Sequence, residues 1–137
     1  MDETPEDNSA ERLQDVFFYG LYMDPTLIQS KGAIPRKQRM AKVENHALRV
    51  GKMATLLRQK GATTPGVIYA LTHQEIDRLY RDAGLLQYAP EALIAELPSG
   101  ERIPVLCCTL RTPPEPDETN EAYALKLDSL KTSLGLS

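Results

Sequence analysis

Apolar and polar positions along this chain switch between the two-residue period of strands and the three-to-four-residue period of helices. Val16-Phe17-Phe18-Tyr19 rises into Gly20, which predicts a first strand over about 14–19. Asp24-Pro25 opens a short helix, with Leu27 and Ile28 inward, that stops at Gly32. From Met40 to Thr72 the pattern is strand-like: His46, Leu48 and Val50 share one face, and Gly51 bends the chain before 53–57. Pro65-Gly66 then punctuates the chain ahead of Val67–Leu71, an apolar run flanked by breakers that predicts a central strand.

Thr72-His73-Gln74-Glu75 is a capping box, in which the Thr hydroxyl and the Glu carboxylate each satisfy an orphan amide of the first helical turn. Ile76, Leu79, Tyr80 and Ala83 follow on one helical face, and Gly84 ends the pattern. Residues 91–97 and 102–110 read as two strands around Pro98-Ser99-Gly100-Glu101, a hairpin signal. Pro104 suits a bulge or an edge position. The proline-rich stretch 112–118 is a surface loop, and a last helix runs over about 120–134. Its apolar stripe is Tyr123, Leu127, Leu130 and Leu134, with Gly135 as its cap. Strands and helices mixed in this order make the chain α+β.

Composition narrows the picture. Residues 1–13 are read as a flexible acidic tail, since Asp2, Glu3, Glu6, Asp7 and Glu11 leave little apolar area to bury. Residues 14–137 are read as one domain. A net charge of −3 argues against a nucleic-acid partner. That average hides eight bases against the single acid Glu44 between Arg36 and Lys60. Such a run reads either as solvated strand faces or as an electropositive rim that attracts small anions. Cys107 and Cys108 are adjacent and so point to opposite faces of a strand; no metal or other cofactor is expected. No apolar run approaches membrane length and no leader pattern is visible, so no membrane partner and a cytoplasmic setting are expected.

The chemistry concentrates where the first strand meets the first helix. A glycine there lets the backbone approach a ligand, and amides entering a helix start favour an anion. The plainer reading is a first strand that Gly20 merely ends. Tyr19, Gly20, Met23, Asp24, Pro25 and Leu27 resemble the YG-T-L-M opening of the gamma-glutamylcyclotransferase-like (avirulence-induced-gene-like) family. Leu21 and Tyr22 are bulkier than the pair usual there. Further matches follow in order: Ala54-Thr55-Leu56, Gly66-Val67-Ile68-Tyr69, Leu79-Tyr80 with Gly84 and Tyr88, and Ser99-Gly100 before Val105-Leu106-Cys107.

The resemblance implies a mixed β-barrel enclosing a cavity, flanked by three to four helices. It also implies a reaction, in which the α-amine of a γ-glutamyl amine or γ-glutamyl amino acid attacks its own γ-carbonyl and releases 5-oxoproline and the free amine. One carboxylate with a raised pKa can serve as base and then acid in such a step. The family's Glu position is occupied by Ala83, and the neighbouring Asp82 is the remaining candidate catalytic residue, with an exposed acid at a helix end as its plainer reading. Tyr19, Gly20, Leu21, Tyr22, Met23 and Tyr88 are the candidate substrate-binding residues, Tyr88 reading equally as an aromatic core residue. The expected partner is a small, anionic, amino-acid-like compound. Two alternatives stand beside an enzyme: a non-catalytic binding or interaction protein, and a barrel whose cavity is filled by its own side chains.

Overall fold

Five strands close on themselves in the order β1-β3-β2-β4-β5. The computed structural model describes residues 12–81, 85 and 87–136. In chain order the elements are β1 (Leu13–Phe18), a 3-10 turn (Leu21–Met23), α1 (Pro25–Ser30), β2 (Arg36–Val50), β3 (Ala54–Thr72), α2 (His73–Leu79), β4 (Tyr88–Glu96), β5 (Arg102–Leu110) and α3 (Glu121–Ser133). All pairings are antiparallel except that of β1 with β5, where Val16 stands opposite Leu106 and completes the barrel. The α+β class and the mixed barrel expected from the sequence are both present, with three α-helices among the described residues.

Alternation on β1 divides the core in two. Phe17 and Tyr19 point into the barrel, where they meet Ile68, Leu56, Val43, Leu93 and Val105. Val16 and Phe18 point outward and pack with Tyr69, Leu71, Ile28, Leu79 and Leu127 under the helices. A strand buried on both faces reads as an unbroken apolar run. That is why Val67–Leu71 shows no alternation: every one of these residues is buried.

The sequence expectation of a break at Pro65-Gly66 is corrected here. β3 continues through both residues, with Pro65 opposite Lys42 and Gly66 opposite Ala41. Gly66 is required by crowding, because a Cβ there would strike the Phe18 carbonyl oxygen and the Phe17 ring. The real irregularity lies four residues earlier. Glu44 pairs with Thr63 and His46 pairs with Arg58, so residues 59–62 face Asn45 alone. Asn45 (φ 62°) and Gly61 (φ 86°) both take left-handed backbone, and the Asn45 side chain accepts the Gly61 N–H at 3.0 Å.

The capping box forms as expected, but α2 stops at Leu79, short of Gly84. Glu75 does more than cap. It is 5% exposed, and its carboxylate accepts from the amides of Thr72 and Ile34 and from Arg36 at 2.8 Å. Burial opposes its ionisation, yet these donors prevail and hold the carboxyl at about 2. Much of the basic stretch is used in the same way: Arg39 pairs with Asp15, Lys42 with Glu96, and Arg58 with Glu91. Solvated strand faces stitched by ion pairs account for this part of the chain.

Because the folded pKa of Glu75 lies below that of a free carboxyl, its stabilisation is complete above about pH 4.5 and fades as pH falls toward about 2. Glu75→Gln is expected to cost about 2–3 kcal/mol in urea unfolding at pH 7. The gap between the two proteins should close as pH drops below about 3; a gap independent of pH would contradict this account.

Candidate functional site

Where β1 ends, the barrel opens into a cavity of about 270 Å³. Tyr19 and Ala54 belong both to the barrel's inner core and to the cavity wall. Five of the chain's six tyrosines stand on its wall: Tyr19, Tyr22, Tyr80, Tyr88 and Tyr123. Their rings interlock, with Tyr22 edge-on to Tyr80 at 5.7 Å and Tyr80 tilted against Tyr88 at 5.5 Å.

Three of the five hydroxyls donate to backbone carbonyls. Tyr19 donates to the Cys108 carbonyl at 2.7 Å, Tyr22 to the Leu79 carbonyl at 2.5 Å, and Tyr88 to the Ala54 carbonyl. A phenol that has spent its hydrogen presents only lone pairs, which suit an ammonium or amide N–H. Tyr123 is the reverse case. Its oxygen accepts the Leu21 N–H at 3.2 Å, and no acceptor among the described residues takes its own hydrogen. It therefore offers a donor to a ligand oxygen.

Gly20 makes this contact possible, because a Cβ at position 20 would collide with the Tyr123 hydroxyl. Helix α3 is aimed at that spot by its lead-in. The Asn120 side chain caps the helix by accepting the Tyr123 N–H. The Arg49 guanidinium donates to the carbonyls of Val50, Glu115, Pro116 and Glu118, fastening the loop before the helix to the β2–β3 turn. Pro114 packs so closely on that turn that a Cβ at Gly51 would come within 2.6 Å of it.

The expectation of bare amides along the Gly20–Met23 turn needs correction. Met23 N–H closes the 3-10 turn on the Gly20 carbonyl at 3.0 Å, and Leu21 N–H is taken by Tyr123. Met23 is wholly buried behind the wall, where its carbonyl accepts from Tyr69. Tyr19, Gly20, Leu21, Tyr22 and Tyr88 do stand on the wall. Asp82, with Ala83 and Gly84, lies outside the described residues. The wall residues that escaped sequence reading as site residues include Tyr80 and Tyr123, read as members of helical stripes, and Lys52. A tyrosine at an otherwise leucine position was the available signal.

Four of the wall phenols, Tyr19, Tyr80, Tyr88 and Tyr123, keep their protons at neutral pH. Burial, joined by the neighbouring thiol and phenol groups, pushes Tyr19, Tyr80 and Tyr88 upward, and burial raises Tyr123 as well. Burial also raises the Cys107 thiol, and it lifts Cys108 to about 11 against a hydrogen bond from Tyr80. Both thiols are neutral and unpaired. No carboxylate among the described residues stands on the wall, and those residues hold no cluster of potential metal ligands.

No family model matches the sequence, and no curated protein matches it. Solved structures do. A Bacillus subtilis protein aligns at TM-score 0.70 with 19% identity over 90% of this chain and 49% of its own, so this chain spans about half its length. A gamma-glutamyl cyclotransferase aligns at TM-score 0.64 with 16% identity, over 92% of this chain and 89% of that one. The chain has the gamma-glutamylcyclotransferase-like fold. An AIG2-like protein from Mus musculus shares this fold, at TM-score 0.60 and 16% identity over 85% of this chain and 95% of the mouse one. Within the gamma-glutamylcyclotransferase-like fold, this chain sets a tyrosine-walled hollow at the open barrel end.

Gly20→Ala is expected to push the Tyr123 hydroxyl off the Leu21 amide and cost about 1–2 kcal/mol in chemical denaturation. In a Tyr123→Phe background the same change should cost clearly less, because the colliding oxygen is gone. Equal costs in both backgrounds would contradict the contact's importance.

Proposed function

We propose that this protein uses the tyrosine-walled cavity to bind a small γ-glutamyl compound, a γ-glutamyl amine or γ-glutamyl amino acid, without turning it over. The observation that carries this reading is the wall's chemistry: neutral phenols on every side and no described carboxylate among them. The cavity's size suits a small ligand rather than a polymer. Lone pairs on the Tyr88 oxygen match the donors of an α-ammonium or amide, while the Tyr123 hydroxyl matches a carboxylate or carbonyl oxygen.

Cyclisation makes a demand that binding does not. The attacking α-amine must lose a proton, the γ-carbonyl carbon must bond that nitrogen, and the leaving nitrogen must gain a proton as its bond to carbon breaks. Phenols and thiols held above their ordinary pKa cannot take the first proton near pH 7. A second reading, a gamma-glutamylcyclotransferase releasing 5-oxoproline, assigns that proton to Asp82. It is favoured by one observation: Tyr80 and Leu85, on either side of Asp82 in the sequence, both stand on the wall. Two buried, unpaired cysteines suit a reducing, cytoplasmic setting for either reading. Among the described residues no helix is long and apolar enough to cross a membrane.

At about 100 times the dissociation constant, γ-glutamyl-alanine should raise the melting temperature by about 5 °C or more. No 5-oxoproline should form above the uncatalysed background, and Asp82→Asn should leave binding unchanged. Turnover that vanishes in Asp82→Asn would establish the second reading. The absence of binding by any γ-glutamyl compound would overturn both.

A further inference from the structure

A second hollow, of about 200 Å³, lies against the β2–β3 ribbon beside the irregularity in its ladder. Ala47 and Leu48 wall it from β2, and Ala62, Thr63, Thr64 and Pro65 wall it from β3. The left-handed residues Asn45 and Gly61 stand just ahead of these two stretches, so the bulge sets how the wall is presented. Lys131, in the last turn of α3, faces the ribbon across the hollow, and Tyr19 is common to both cavities. We propose that this second cavity binds a small monocarboxylate, its carboxylate paired with the Lys131 ammonium and its short apolar body laid against Ala47, Leu48, Ala62 and Pro65. The inference is independent of what the first cavity holds.

Helix α3 serves both cavities with one side. Tyr123, Leu127 and Lys131 are spaced four apart and lie along one stripe, with about 12 Å of helix between the first and the last. Tyr123 stands on the first cavity, Leu127 is buried, and Lys131 stands on the second. A lysine in a last helical turn is ordinarily explained by the carbonyls that end the helix. Here those carbonyls are answered by backbone: Leu130 and Thr132 accept from the Leu134 amide, and Lys131 accepts from the Leu136 amide. Nor is the side chain out in water, since Lys131 is half-buried. No acidic residue stands on the wall, and no carboxylate among the described residues pairs with Lys131. Asp128, a turn earlier, is exposed and makes no ion pair with it.

The rest of the wall selects the kind of anion. The Thr64 hydroxyl has given its hydrogen to the His46 carbonyl at 2.8 Å, and the Tyr19 hydroxyl has given its own to the Cys108 carbonyl. The side-chain donors left are the ammonium and the Thr63 hydroxyl, which has no partner among the described residues. Around them the alanine, leucine and proline surfaces gain by being covered with methylene groups rather than water. One ammonium answers one negative charge; the further charge and oxygens of a phosphate would lose water there without a second cation to receive them. At about 30 Å³ per water the hollow has room for about six waters, or one acid of about four carbons.

Amide chemical shifts followed during titration with sodium butyrate, at constant ionic strength, test the proposal. Butyrate should produce saturable shifts at Ala47, Ala62, Thr63 and Lys131, with the hairpin turn at Gly100 silent. Butyramide has the same shape without the charge, and inorganic phosphate has charge without the apolar body. Each should bind about five- to ten-fold more weakly. Lys131→Gln should weaken butyrate by about the same factor, and Lys131→Arg should retain it. The amide spectrum of each variant reports its fold in the same experiment. Butyramide binding as tightly as butyrate, or butyrate binding unchanged in Lys131→Gln, would overturn the ion pair. Phosphate binding as tightly would overturn the monocarboxylate class. No shift at these amides by about 50 mM butyrate would overturn the site, whatever the first cavity binds.

Discussion

A single hydrogen bond, from the Leu21 amide to the Tyr123 hydroxyl, joins the start of the chain to its last helix at the cavity. It spans 102 residues of sequence and crosses above a residue that has no side chain. Taken alone it is worth about 1 kcal/mol. Its consequence is larger, because it fixes which polar atoms the cavity shows. By consuming the Leu21 amide it removes one donor from the turn, and by the same act it supplies a phenol donor in its place. The Arg49 clamp and the Asn120 cap matter to the site because they deliver that phenol.

The rest of the wall follows from burial. Buried phenols hold their protons more tightly, and three of these have already given their hydrogens to backbone carbonyls. The phenols proposed to hold a ligand therefore cannot drive proton transfer at neutral pH. Turnover of a γ-glutamyl compound would need a carboxylate that the wall tyrosines do not replace. The barrel meanwhile owes its stability to apolar packing on both faces of β1 and β3 and to the Glu75 cluster.

Elements set by local chemistry were legible in the sequence. The Thr72–Glu75 box, the Ser99-Gly100 hairpin and the Gly135 cap carry their own signals, and each forms. Pro65-Gly66 misled because the same residues that end a strand also admit a close crossing by Phe17 and Phe18, which only the tertiary fold reveals. The wall was half legible. Tyr19 to Tyr22 and Tyr88 were marked by the strand-to-helix junction and by resemblance, whereas Tyr123 sits on a helical stripe where an aromatic residue reads as core. Its role depends on a collision-free path over Gly20, a relation between distant positions that no local pattern encodes.

The central claim is that a γ-glutamyl compound occupies the hollow between the Gly20–Met23 turn and α3. Backbone amide chemical shifts followed during titration with γ-glutamyl-alanine test it most directly. The account predicts saturable shifts concentrated at Gly20, Leu21, Met53 and Tyr123, with the hairpin turn at Gly100 silent. Shifts confined to other surfaces, or none at millimolar ligand, would contradict it.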